Sequence, residues 1–138
     1  MKFALRSRIR AVLRPLAILL ACTVLAEVGS VRAQDVSFAD TNLETAVEQQ
    51  LGLAGPITQS EMLDLTYLDA SGLGVVDTTG LQYASNLIFL KLDNDPITNY
   101  SAIAGLTNLN EFDLAYTGVS NLSFMTQLQA LLVTSLFN

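Results

Sequence analysis

LIFLKLDNDPITNYSAIAGLTN, residues 87–108, is followed without a gap by LNEFDLAYTGVSNLSFMTQLQA, residues 109–130. Set one under the other, the two 22-residue stretches share their apolar positions. Leu87 and Leu109 open them, and Leu65 and Leu131 fall at the same spacing on either side. Three positions on stand Leu68, Leu90, Phe112 and a polar exception, Thr134; two further on stand Ala70, Leu92, Leu114 and Leu136. Later in each unit Val75, Ile97 and Val119 align, then Leu81, Ile103 and Met125, then Ala84, Leu106 and Leu128. Self-similarity at a fixed period of this length is the mark of stacked structural repeats.

Each unit opens with a short strand whose alternate residues, such as Leu90 and Leu92, face a core. A turn follows, and then a looser return segment whose apolar residues (Ile97, Ile103, Leu106) point back into the same core. The return is rich in Ser, Thr, Asn and Gly (TNYSAIAGLTN), which suits a 3₁₀ or irregular path better than a full helix. One such unit cannot bury its apolar face alone. Stacked units can, with their strands paired in parallel along one side.

The repeated units resemble bacterial leucine-rich repeats of the 22-residue internalin type, whose pattern is LxxLxLxxNxI followed by a return ending in L-T-N. The resemblance implies an α/β repeat solenoid: a short horseshoe with parallel strands on its concave face, an irregular or 3₁₀ convex side and a small N-terminal helical cap. Residues 34–64 are then the cap, and 65–138 the repeats, divided as 65–86, 87–108, 109–130 and a partial 131–138. In the family, the Asn of the pattern hydrogen-bonds buried backbone between neighbouring units. Here that slot holds Leu73, Asp95 and Thr117. An ionised Asp offers acceptors only and Leu offers nothing, so a weaker ladder between repeats is expected, with Asn94, one position early, a candidate to compensate.

Upstream, Thr41-Asn42-Leu43-Glu44 has the form of a capping box with Thr41 as N-cap, and Leu43, Ala46, Val47 and Leu51 line one face of a helix that stops at Gly52. A second box, Thr58-Gln59-Ser60-Glu61, opens a short turn through Met62 and Leu63 into the first repeat strand. At the other end, Leu132, Val133, Leu136 and Phe137 are expected on an edge strand with nothing over it, an aggregation-prone arrangement. A repeat array ordinarily ends in a polar cap, so the chain reads as a fragment of a longer array or as an unusually short intact protein.

The first 33 residues follow another logic. Five of the seven Lys and Arg residues of the 138-residue chain lie within the first fourteen, a 12-residue apolar run PLAILLACTVLA (Pro15–Ala26) comes next, and the polar EVGSVRA follows. That order predicts a secretory signal peptide cut between Ala33 and Gln34, with Val31 and Ala33 as the small residues of the cleavage site. The apolar run is too short for a membrane span, which takes roughly 17–25 residues. A rival reading makes Leu19-Leu20-Ala21-Cys22 a lipobox and Cys22 a lipidated anchor. Export places the protein in the periplasm, at the cell surface or outside the cell, with no stable membrane insertion after cleavage.

Composition narrows the chemistry. His and Trp are absent and Cys22 is the only cysteine, which removes a histidine general base, a Cys/His metal site and a disulfide framework. Residues 34–138 keep one cation, Lys91, against twelve carboxylates, a net charge of −11. Such a surface repels phosphate backbones, so no nucleic acid partner is expected.

In the architecture the resemblance implies, the residues between the buried leucines project from the concave face: Tyr67, Asp69, Ser71; Phe89, Lys91, Asp93; Glu111, Asp113, Ala115; then Val133 and Ser135. Aromatics beside charges suit a partner-binding surface, and Tyr67, Asp69, Phe89, Lys91, Asp93, Glu111 and Asp113 are the expected binding residues. The leading expectation is an exported binding module that takes a protein, or else a glycan, with no catalysis, no cofactor and no metal. A second is the capped N-terminal part of a larger surface repeat protein with a structural role. A third, remote one is a carboxylate hydrolase, or a Ca²⁺ site, drawn from the acidic cluster Asp69, Asp93, Glu111 and Asp113, since side chains on neighbouring strands stand about 5 Å apart; Lys91 in its midst and the shallow face count against it. Asp93-Asn94-Asp95-Pro96 has acids at calcium-loop spacing but lacks the Gly and the terminal Glu, and reads as a turn. Asn99-Tyr100-Ser101 and Asn121-Leu122-Ser123 match the glycosylation acceptor pattern.

Overall fold

Asp40 begins the first helix. In the structure, a computed structural model that describes residues 33–136, Asp40 has extended backbone (φ −126°, ψ 121°) and its Oδ1 accepts the N–H groups of Asn42 (2.8 Å) and Leu43 (3.3 Å). The signal-peptide and lipid-anchor readings, which turn on residues 1–32, lie outside the described residues, as do Phe137 and Asn138. Asp40 therefore corrects Thr41 as the cap: its carboxylate reaches two of the orphan amides and carries the charge that a helix N-terminus favours. Thr41 instead enters the helix, α1 (Thr41–Leu51), where its carbonyl accepts the Thr45 hydroxyl at 2.8 Å. The second Asp40 oxygen accepts the Val76 N–H at 2.7 Å, tying the helix start to the first repeat. Burial pushes the Asp40 carboxyl up, but the N–H groups of Val76, Leu43, Asn42 and Asp77 outweigh that and hold it below the usual range. Leu43, Ala46 and Val47 are buried, and Gly52, at φ 67°, closes the helix with its N–H on Gln49 O.

The second box forms in both directions. The Thr58 N–H donates to Glu61 Oε2 (2.7 Å) and the Glu61 N–H donates to Thr58 Oγ1 (3.3 Å), opening a 3₁₀ turn over Glu61–Asp64 that buries Met62. Ahead of it the N-terminal segment pairs back on the chain, with the Val36 N–H on Ile57 O (2.7 Å) and the Gln59 N–H on Gln34 O (2.9 Å). The Phe38 ring then lies so close over Gly80, itself at φ 114°, that a β-carbon there would overlap it. Helix, turn and segment together cover the first repeat.

Four short strands follow: β1 (Tyr67–Asp69), β2 (Phe89–Lys91), β3 (Glu111–Asp113) and β4 (Val133–Ser135). They form one open parallel sheet in the order β1-β2-β3-β4, with Leu68, Leu90 and Phe112 in register and buried. Each return carries a 3₁₀ turn, Leu81–Tyr83, Ser101–Gly105 and Ser123–Gln127. Two returns bury apolar side chains under the strands, Leu81 and Ala84 in one and Ile103 and Leu106 in the next, and the third buries Leu128. The repeats thus share one continuous core.

Polar side chains stitch the returns at the same period. Asp77, Asn99 and Asn121 each accept the N–H two residues on, from Thr79 (2.7 Å), Ser101 (3.1 Å) and Ser123 (2.9 Å), and so start the turns. The Asn99 amide also donates to both oxygens of Asp77, at 3.1 and 3.0 Å, across the repeat boundary. On the other flank, Asn86 and Asn108 each donate to a carbonyl of the preceding unit, Leu63 O and Ser85 O, both at 2.8 Å.

The slot that lacks Asn behaves unevenly. Asp95 is 1% exposed, and its Oδ1 accepts Gly74 N–H (2.7 Å) and Val75 N–H (3.0 Å) of the preceding unit, so this position does bridge repeats. Its Oδ2 is buried without a partner, and that burial, aided by neighbouring Asp93, raises the Asp95 carboxyl above the usual range. Thr117 bonds only within its own turn, to Leu114 O at 2.8 Å, and Leu73 is exposed. Asn94 does not compensate: it is exposed and its amide goes to Asp93 Oδ2 at 2.7 Å.

Candidate binding face

The strand register gathers the expected residues into rows. Tyr67, Phe89, Glu111 and Val133 are partners across the four strands, and so are Asp69, Lys91, Asp113 and Ser135. Parallel strands put neighbours in such a row about 4.8 Å apart at the backbone. Tyr67, Asp69, Phe89, Lys91 and Glu111 are exposed, while Asp113 and Ser135 are half-buried. The Tyr67 and Phe89 rings lie side by side, with centroids 6.4 Å apart and planes inclined at 47°.

Beyond the strand ends the alternation fails. Asp113 accepts the Ala115 N–H at 3.0 Å and Asp69 the Ser71 N–H at 3.2 Å, so the chain bends inward as each strand finishes. Ala115, expected on the exposed ladder, is consequently buried. Ser71 and Asp93 remain half-exposed and are joined by a hydrogen bond from the Ser71 hydroxyl. That hydroxyl adjoins Asp69 as well, and its one proton serves either carboxylate in turn. Asp69 is nonetheless held below the usual carboxylate range, first by the Ser71 hydroxyl, then by the Ser71 N–H, Lys91 and the Tyr67 hydroxyl, against partial burial.

Between β2 and β3 the face has a shallow depression of about 90 Å³, lined by Phe89, Lys91, Glu111, Phe112, Asp113 and Ser135. Small-molecule sites ordinarily run to roughly 300–1,000 Å³, so this depression has the size of one side chain; a wider, more open hollow of about 500 Å³ lies by Thr66, Asn86, Ile88, Asn108 and Asn110. Asp93 and Asp95 turn to opposite sides, the one toward Ser71 and the other into the interior, which leaves no calcium loop in Asp93-Asn94-Asp95-Pro96. Among the described residues no three His, Cys, Asp or Glu side chains converge to hold a metal, and no helix is long and apolar enough to cross a membrane.

One exposed residue beside the face has no counterpart in the expected set. Tyr116, in the turn after β3, is 64% exposed and has φ 58°. One and two repeats earlier the same position is occupied by Asn94 (φ 60°) and Gly72 (φ 67°), the residue types that enter this region with least strain. The 22-residue column Gly72, Asn94, Tyr116 was legible as a left-handed turn position, and Tyr116 as the residue out of place in it.

No protein-family model and no curated protein matches the chain. Solved structures do. The structure of CBM51-2 in complex with GlcNAc and INT domains from Clostridium perfringens ZmpB is 32% identical over 59% of this chain and 19% of that one, with a TM-score of 0.52. Internalin C2 from Listeria monocytogenes is 27% identical over 74% of this chain and 58% of its own, with a TM-score of 0.51. Internalin F from the same organism is 23% identical over 78% and 40%, with a TM-score of 0.55. The chain thus has an internalin-like leucine-rich-repeat fold, and it spans about a fifth of the ZmpB chain's length and about two fifths to three fifths of the internalins'.

Proposed function

We propose that the chain is an exported, non-catalytic binding module that presents the solvent face of β1–β4, the concave side of a short leucine-rich-repeat horseshoe, to a protein or a glycan. The observation that carries this reading is the pair of in-register rows, Tyr67–Phe89–Glu111 and Asp69–Lys91–Asp113, set on a parallel sheet whose depression between β2 and β3 has only the size of a side chain. Aromatics on such a sheet supply contact area at small entropic cost, and interleaved charges fix register. The pairing of INT domains with a GlcNAc-binding module in ZmpB supports a surface role, and so does the likeness to internalins. Export brings the face to its partner, and a mass measurement of the mature N-terminus distinguishes a start at Gln34 from a lipidated Cys22.

The test is a panel of immobilised extracellular protein domains and oligosaccharides, probed with the parent and with a Phe89→Ser/Glu111→Gln variant of unchanged melting temperature. At least one ligand should lose about tenfold in affinity with the variant, the weight expected for a central aromatic anchor. A panel in which no ligand depends on the face would overturn the reading. It would favour instead a purely structural role within a larger surface repeat protein, for which the small share of the relatives' length is the supporting observation.

A further inference from the structure

Three exposed aromatics lie on the sheet or beside it. Tyr67 and Phe89 adjoin on β1 and β2, and Tyr116 stands in the turn that leaves β3. Tyr116 adds nothing to the core, being 64% exposed, and it holds a left-handed backbone that the equivalent Gly72 and Asn94 adopt with less strain. A strained residue whose side chain points to solvent is expected where contact with something outside the chain selects it. The charge of that contact is set by the surroundings. Residues 34–138 carry twelve carboxylates and the single cation Lys91, and Glu111, beside Phe89, and Asp113 stand on β3, the strand that leads into the turn at Tyr116.

Resting on the binding-face reading above, we infer that the occupant is a basic polypeptide segment laid across the strands from Tyr67–Phe89 to Tyr116. Its Lys or Arg side chains pair with Glu111 and Asp113, and its cationic groups stack on the aromatic rings, which attract cations through their electron-rich faces. The depression between β2 and β3 accepts one such side chain. The net charge of the region steers a basic segment in and turns an anionic one away. A neutral glycan would use the aromatics and leave the charge without a role.

The purified protein is titrated with fluorescein-labelled octaarginine, with octaglutamate and chitotetraose run alongside. Octaarginine should bind, and its affinity should fall by about tenfold between about 50 mM and about 300 mM salt. Tyr116→Asn should raise the melting temperature by relieving the turn and weaken octaarginine about fivefold. A better-folded but weaker-binding variant cannot be explained by damage to the fold. Glu111→Gln/Asp113→Asn should weaken binding likewise, and Asp35→Asn, in the N-terminal segment, should leave it unchanged. Equal loss in Asp35→Asn, unaltered binding in Tyr116→Asn, or chitotetraose displacing the peptide from the face would each overturn the inference. If the panel's face-dependent ligands prove neutral or acidic, this inference falls and the binding-face reading stands; if none depends on the face, both fall.

Discussion

Replacing Asp95 by Asn should stabilise the protein at neutral pH, because the native carboxylate is buried with half its bonding capacity unmet. Oδ1 accepts two N–H groups from the preceding repeat, at 2.7 and 3.0 Å, and an amide oxygen can accept both. Oδ2 has no partner, and a buried unsatisfied group costs about 1–3 kcal/mol, more when charged. Against this, two charge-assisted bonds become neutral ones, a loss of about 0.5–1 kcal/mol each, and the Asn amide leaves N–H groups unmet where Oδ2 stood, so the gain comes from removing the buried charge alone. The balance is a net gain of up to about 1 kcal/mol, or a rise of up to about 4–8 °C in melting temperature for a domain of this size. The pH dependence gives the sharper readout. Asp95 has its carboxyl raised in the fold, so the stability lent by its neutral form is fully present below the unfolded value near 3.8 and is lost as pH rises through the folded value. Asn is neutral throughout. The difference in melting temperature between variant and parent should therefore be near zero at about pH 3 and grow to its plateau by about pH 7. Calorimetry of both proteins across that range checks it, and a variant less stable at neutral pH, or a difference that does not change with pH, would refute the assignment of a strained buried charge.

Three further substitutions test the scaffold. Asp40→Ala removes the α1 cap and the acceptor of the Val76 N–H together, and should cost about 2 kcal/mol by chemical denaturation, with the loss shrinking in acid as the native carboxyl is protonated. Gly80→Ala forces a β-carbon into the Phe38 ring at φ 114° and should cost at least about 2 kcal/mol, partly recovered by Phe38→Ala in a double-mutant cycle. Tyr100→Phe deletes a buried hydroxyl without a partner while keeping the ring stacked on Phe124, so stability should stay level or rise by about 1 kcal/mol.

The parts of the fold that follow from burial were legible in the sequence, and the parts that follow from backbone direction were not. Leucines at 22-residue spacing mark β1–β4 and the returns because a repeated core must be filled at every repeat, and Leu68, Leu90, Leu106 and Leu109 lie buried accordingly. The rows of the binding face follow by alternation, as far as the strands last. Ala115 marks where that inference stops: two residues past the strand end the chain has already turned, and alternation no longer says which way a side chain points. Asp40 escaped for a similar reason. Both Asp40 and Thr41 can cap a helix, and only the extended backbone at Asp40 shows which one does.

The missing Asn of the repeat pattern shows how the stack holds without it. A strand-turn slot filled by Leu73, Asp95 and Thr117 bridges units only at Asp95, which would leave the turn side of the stack loosely tied. Backbone pairs close the turn side, Gly72 N–H on Asp93 O and Asn94 N–H on Ala115 O, both at 2.8 Å, and side chains bridge the units along two further lines. Asn86 and Asn108 reach back one unit beside the strands, and Asn99 grips Asp77 beside the returns. These lines tie the first two repeats on both sides of the core, while backbone pairs such as the Asn94 N–H on Ala115 O carry the stack on to the third. In the third repeat the slot residue, Thr117, bonds only within its own turn. Tyr116, next to Thr117, can then occupy a turn position that no packing requirement assigns to it.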